Sequence, residues 1–385
     1  MIYLDHHATT PLCKPAADAI ANALSLTGNG SSIHQQGRMV RASIERARAS
    51  IATTVGALAR ELVFTSGGTE AVHLAVNGVG YSEQVAHILL DRGAHPALES
   101  ACALLAATRN IPLQFIDATA FGTIDRDALR RALASKPAKT LVAASWVQHE
   151  TGAIAPIASL AQLCHHTGAL LVVDAVQAVG KVAVDFAACG AAAAAISAHK
   201  IGGPAGVGAA WIRHDVRARA TVTGGSQERG LRAGTENHLG IVGFAAATST
   251  VASRLQKQRE LAEWRDQLAR SLNDELFHLT PFDPAARAST VLHGSLHDIA
   301  GEELVAALDV EGLCVSAGPA CSSGKSGPST AMERMFTSQP WRARGAVRIS
   351  LGYETTASEI EQAAQITRAV LARFASLSHS PRPRL

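Results

Sequence analysis

The chain has 385 residues, 47% hydrophobic and 17% charged, so it can bury a sizeable interior and is not a disordered segment. A net charge of +3 and only 4% aromatics argue against direct nucleic-acid binding through a basic field or a base-stacking platform. No apolar run reaches the ~18 residues of a membrane span, and "MIYLDHHATTP" has an acid and two histidines where a secretory signal needs a basic flank and an apolar core, so the chain reads as soluble and cytoplasmic.

In chain order, apolar runs of strand length alternate with helical patterns over the first two thirds. "ELVFTSGGTEAVHLAV" reads as a strand, a Gly-Gly-Thr turn and a helix. "VAHILLD", "PLQFID", "TLVAASW" and "ALLVVDA" read as strands, with helices in "LESACALLAATRN", "DRDALRRALA" and "PIASLAQLCHHTG" between them. Strands apolar throughout and separated by helices predict a mostly parallel sheet covered on both faces, with ligands at the strands' carboxyl ends. Near residue 250 the pattern changes. "RLQKQRELAEWRDQLARSLNDEL" reads as one long amphipathic helix. Short strands ("STVLHG", "LCVSAG", "AVRISLG") then mix with helices ("EELVAALDVEG", "ASEIEQAAQITRAVLARFASL"), as in a smaller α+β domain.

Three stretches of the first part could carry chemistry. Only seven of the 35 basic Lys and Arg residues are lysines, and six of those lie in polar or turn-like settings. Lys200 instead follows an apolar strand-like run and precedes a Gly-rich turn. It is either a surface lysine at a strand end or a Schiff-base amine. Asp174 ends the apolar run "LLVVD"; it fits a helix N-cap, or a carboxylate that keeps a pyridine nitrogen protonated, with Gln177 three residues on able to reach the ring's phenolic oxygen. Gly67, Gly68 and Thr69 before a helix form a candidate anion cradle. The six cysteines (13, 102, 164, 189, 314 and 321) show no C-x-x-C pair and no zinc spacing, and the chain reads as reduced. Cys321 differs from the others: it lies in "SAGPACSSGKSG", a loop composition. Gly318 and Gly324 enclose five residues rather than the four of a Walker loop, which excludes a nucleotide phosphate loop there.

An anion cradle, an acid at a strand end and a lysine at a later strand end follow in the order of a pyridoxal phosphate fold. The chain resembles cysteine desulfurases of the NifS/IscS type, in the class V aminotransferase group of fold type I pyridoxal phosphate enzymes. The resemblance rests on "YLDHHATTP", "GNGSSIHQQGR", "FTSGGTEAVHLAV", "AHPALES", "HETGAIAPI", "VVDAVQAVGK", "SAHKIGGPAGVGA", "GGSQERGLRAGTEN", "GPACSSG" and "VRISLG", from residue 3 to residue 352. It implies a large α/β domain (13–250) with a mostly parallel seven-stranded sheet, and a small domain (1–12 and 251–385) carrying the catalytic-cysteine loop. It implies that Lys200 bonds the pyridoxal 5'-phosphate, that His95 lies over the ring and relays protons, and that Asp174 and Gln177 hold the pyridine nitrogen and phenolic oxygen. Gly68, Thr69, Ser197 and His199 would cradle the phosphate, joined by Thr235 from the other subunit of a homodimer. Arg348 would pair with the carboxylate of the substrate, L-cysteine. Cys321 would be the nucleophile that takes the sulfur as a persulfide and passes it to a protein acceptor, leaving L-alanine.

The chain departs from the family where "QHE" replaces Asn-Asn-Glu. His149 then stands where an asparagine touches cofactor and substrate, and it can still donate a hydrogen bond. A selenocysteine lyase or an aminotransferase of the same fold is the nearest alternative reading; an inactive scaffold protein is the one of another class.

Overall fold

The computed structural model describes residues 1–135, 139–272, 276–318 and 327–378. Its strands, in chain order, are β1 Ile2–Tyr3, β2 Leu62–Thr65, β3 His87–Asp91, β4 Leu113–Ile116, β5 Thr140–Ser145, β6 Leu170–Asp174, β7 Ala193–Ser197, β8 Gly208–Ile212, β9 Phe277–Leu279, β10 Val291–Leu296, β11 Leu313–Cys314 and β12 Ala346–Ser350.

Seven of them form one sheet in the order β2-β8-β7-β6-β5-β3-β4. Neighbours from β7 to β4 run parallel, and β8 lies antiparallel to both β7 and β2. The strand side chains alternate between two cores, as the period of two requires. Val142, Ala144, Leu171, Val173, Ala194 and Ile196 face one core, against the helices Gln35–Thr54, Ile157–Thr167 and His238–Thr248. Leu141, Ala143, Val172, Ala193 and Ala195 face the other, against a helical run over 68–82 and the helix Pro96–Arg109. Burial on both faces explains why these strands read as unbroken apolar runs.

The remaining strands form a three-stranded antiparallel sheet β12-β10-β9 and the parallel pair β1-β11. Helices Gln258–Leu272, Gly301–Val310 and Ala357–Ser378 cover a third core, which Ile2 and Leu4 join from the N-terminus. The chain therefore starts among its own C-terminal elements and then crosses to the large sheet. One expectation is corrected here. The long helix after residue 250 is two helices, Val251–Gln256 and Gln258–Leu272, parted at Lys257. Lys257 Nζ donates to the carbonyls of Tyr353 and Thr355, a tertiary anchor that helical periodicity does not carry. Among the described residues no helix is long and apolar enough to cross a membrane.

Candidate active site

The carboxyl ends of β5, β6 and β7 open on one cavity of about 130 Å³, where Ser145, Asp174 and Ser197 meet. Register fixes this convergence: Ser145 lies opposite Asp174 across β5-β6, and Asp174 opposite Ala195 across β6-β7. Each chain then turns sharply. The four-residue turn Ala198–Ile201 presents His199 and Lys200 to the cavity.

Lys200 Nζ donates to the backbone carbonyls of His7 and Ala8, at 2.5 and 2.8 Å. The N-terminal segment thus forms one wall, also held by a bond from Thr10 N to His199 O. Asp174 is buried, its Oδ1 accepting from Val176 N at 3.0 Å. Gln177 is buried too and engaged at both ends: Nε2 donates to His7 O at 2.8 Å, and Oε1 accepts from Lys181 Nζ at 2.7 Å.

Gly68 begins the helix Gly68–His73, and Thr69 follows it into the cavity wall. A Cβ on Gly68 would come within 2.9 Å of Val176 Cγ2 and 3.3 Å of Ser197 Cβ, so only glycine lets this backbone close on the cradle. His199 Nδ1 lies 3.2 Å from Thr9 Oγ1. Burial first, then Lys200 and Lys181, pushes its imidazole down to about 4, so at neutral pH it binds as a neutral hydrogen-bonding group.

On the opposite wall, His95 is the N-cap of the helix Pro96–Arg109, and its Nδ1 accepts from Ala97 N. That leaves the neutral ring's proton on Nε2. The rings of His95 and His149 meet edge to face at 4.9 Å. The His149 Nδ1 lies 3.4 Å from Gln148 Nε2, and its Nε2 points to Glu150 Oε1 at 3.4 Å without hydrogen-bond alignment. Both nitrogens therefore face protein, and the ring meets the cavity as a wall against His95.

Arg348, on β12, is buried at the cavity edge. Its Nη groups donate to His149 O, Asp5 Oδ1 and Ser316 Oγ, and its Nε is buried without a partner among the described residues. Asp91, ending β3 beside this site, is fully buried. Burial raises its carboxyl to about 6, aided by the Asp174 charge and opposed by bonds from Gly93 N and Ser145 N.

Ten of the expected site residues thus line one cavity: Gly68, Thr69, His95, His149, Asp174, Gln177, Ser197, His199, Lys200 and Arg348. Thr235 does not. It is exposed and lines a separate cavity with Ser66, Arg232 and Asn237. Cys321 lies outside the described residues. Sequence reasoning missed the His7 and Ala8 carbonyls, Asp5 and Lys181. "YLDHHATTP" and "VQAVGK" held them, but a backbone acceptor leaves no residue-type signal, and Lys181 reads as a turn lysine. The donor set fits pyridoxal phosphate: an amine for the aldehyde, a buried carboxylate with Oδ2 outside any hydrogen bond among the described residues, and hydroxyls beside a helix start for the phosphate.

A family model described as "Aminotransferase class-V" matches residues 2–363. An "IscS-like cysteine desulfurase" of Mycobacterium tuberculosis is 34% identical, covering 97% of this chain and 97% of the relative. A "Cysteine desulfurase" of Cereibacter sphaeroides is 37% identical, covering 98% and 97%. A solved NifS-like protein superimposes with a TM-score of 0.88 at 26% identity, over 97% of this chain and 99% of that one.

Proposed function

The chain belongs to the class-V aminotransferase family, and from that premise we propose that it is a cysteine desulfurase, converting L-cysteine to L-alanine with the sulfur left as a persulfide on Cys321. Pyridoxal 5'-phosphate is its cofactor, and when bound it supplies an electron sink that acidifies the substrate Cα–H and weakens the C–S bond. The observation that carries the reading is the convergence of Lys200, Asp174 and Arg348 on one cavity at the strand ends.

In this reading Lys200 would hold the cofactor, and its amine would take up the Cα proton of the substrate. Asp174 keeps the ring nitrogen protonated, and Gln177 turns an N–H toward the phenolic oxygen. Thr69, Ser197, neutral His199 and the helix start at Gly68 hold the phosphate. His95, on the cavity wall, would face the bound ring and exchange its Nε2 proton there. Arg348, at the cavity edge, would receive the substrate carboxylate, fixing which Cα bond faces Lys200. The Cys321 thiolate takes the substrate sulfur as the C–S bond breaks, so one S–S bond replaces one C–S bond and the carbon takes up a proton to give alanine.

Thr235, which lines a separate cavity, would serve the phosphate of a second subunit in a homodimer. The persulfide then passes to a protein acceptor in the cytoplasm. We take residues 13–250 as the large domain and 1–12 with 251–385 as the small one. Borohydride reduction of the loaded protein, followed by peptide mapping, is expected to mark Lys200. Cys321→Ala is expected to lose persulfide formation while the cofactor's visible absorbance survives. An unmarked Lys200 would falsify the reading, and undiminished sulfur release by the alanine variant would assign the nucleophile elsewhere.

A further inference from the structure

Lys181 is a buried lysine that the reaction above does not use. It follows Gly180 in the turn after β6, a setting that reads as solvent-facing, yet only 8% of it is exposed. Its Nζ donates to Gln177 Oε1 at 2.7 Å, and no carboxylate lies within ion-pair distance of it among the described residues. Burying an amine without an acid is costly, and a methionine would fill the same space more cheaply. What the amine adds is direction. A glutamine amide offers an oxygen or an NH₂ depending on one soft torsion. As an ammonium Lys181 has three donors and no acceptor, so it takes the oxygen end of the amide. The other end then faces His7 O at 2.8 Å, the same carbonyl that Lys200 reaches at 2.5 Å.

We propose that Lys181 is a positioning residue that acts through Gln177, fixing the amide so that its N–H, and not its oxygen, meets the phenolic oxygen of the cofactor beside Lys200. The inference rests on the cofactor reading above. An ionised phenolic oxygen accepts hydrogen bonds; a flipped Gln177 would set oxygen against oxygen. The groups facing the Lys181 amine are the rings of His6, His7 and His199 and the cations Lys200, Arg254 and Arg348. The hydrogen bond to Gln177, rather than the charge, is the feature that those cations lack.

The test is a double-mutant cycle on the loaded protein with Lys181→Met, Gln177→Ala and the pair. It reads the pH midpoint of the bound cofactor's visible band and the cofactor's dissociation constant. Loss of one hydrogen bond predicts up to about tenfold weaker cofactor binding for Lys181→Met, with a displaced band midpoint. Gln177→Ala should do the same, and the pair should be no worse than Gln177→Ala alone. Additive effects, or an unchanged band and affinity in Lys181→Met, would overturn the inference. Lys181→Arg keeps a donor and should restore the wild-type band; if Lys181→Met does not fold, the arginine variant behaving like Gln177→Ala overturns it equally. Borohydride marking of Lys200 in the wild type separates the two failures. A marked Lys200 with an additive cycle sinks this inference alone, whereas an unmarked Lys200 sinks the cofactor reading beneath it.

Discussion

Arg348 Nη2 donates to Asp5 Oδ1 at 2.9 Å across 343 positions of sequence, with only 2% of the arginine side chain exposed. Asp5, Ser316 and the His149 carbonyl orient the guanidinium before any substrate arrives. The guanidinium so held lies at the cavity edge, where a substrate carboxylate would pair with it. Arg348→Lys removes the fork. It is expected to raise KM for L-cysteine by roughly 10- to 100-fold, the equivalent of about 1.5–3 kcal/mol for charge-assisted hydrogen bonds, with a smaller change in kcat. Asp5→Asn keeps an acceptor and should raise KM less. Steady-state kinetics check both, and an unaltered KM in Arg348→Lys would remove the arginine from substrate binding.

Glu150 ties the cavity wall to the helix Thr330–Met335. Its Oε1 accepts from Ser329 Oγ at 2.6 Å, and Ser329 caps that helix through Met332 N. Burial pushes the carboxyl up, but the His149 and His293 rings and the Ser329 hydroxyl outweigh it and hold it at about 2. The native value thus lies below the ordinary 4.5, so the ionised form stabilises the fold fully above pH 4.5 and that contribution is lost as pH falls toward 2. Glu150→Gln should therefore cost roughly 1–3 kcal/mol at pH 7, and the gap from wild type should narrow steadily between pH 5 and pH 3. Denaturant midpoints at several pH values measure it; a gap that does not vary with pH would refute the ionised assignment.

The alternating layers, the strand-end positions of Asp174 and Lys200 and the glycine cradle were legible because burial and close approach restrict residue type. Val142 and Leu171 must be apolar, and Gly68 must lack a Cβ. Other features are relations rather than residue types. The wall behind Lys200 is made of carbonyls that any residue at positions 7 and 8 would supply. Lys181 looks like a surface lysine until the fold closes over it. The His149 ring turns both nitrogens to protein because Gln148 and Glu150 flank it in space. The break at Lys257 depends on carbonyls about a hundred residues away.

Glu228 and Arg229 are consecutive non-glycine residues in left-handed backbone, with φ of 48° and 58°. Such conformations cost of order 1–3 kcal/mol each and persist only where neighbours hold them. Arg48 does the holding: its Nη atoms meet both Glu228 oxygens at 2.7 and 2.6 Å, while Phe64 N donates to the same carboxylate. Both side chains are 1% exposed. Arg48→Met strands a buried carboxylate and should lower stability by about 3–5 kcal/mol. Arg48→Met with Glu228→Leu removes both charges and should recover part of the loss. Thermal midpoints decide: a double variant no more stable than Arg48→Met would show that the pair is not what holds the turn. Because this turn leads into the stretch carrying Thr235, the single variant should also weaken cofactor binding.

Gly208, the first residue of β8, has no room for a side chain. A Cβ there would stand 2.7 Å from Gly67 C, 2.7 Å from Ile196 O and 2.9 Å from Gly67 O. All three are backbone atoms, so neither the strand nor the cradle can yield by turning a rotamer. Gly208→Ala should therefore push the loop at Gly67 away from the sheet and carry Gly68 and Thr69 with it. Because Ile196 O belongs to β7, the strain falls on the sheet as well, so the expected result is an at least tenfold loss of cofactor affinity together with a lower thermal midpoint. Gly168→Ala is the control. Gly168 caps the helix Ile157–Thr167 at φ 69°, and a Cβ there meets nothing within 4 Å. It should cost about 1 kcal/mol of stability through backbone strain alone and leave cofactor affinity untouched. Cofactor titration and thermal melting of both variants separate the effects; equal losses of affinity in the two would show that close approach at β8 does not shape the cradle.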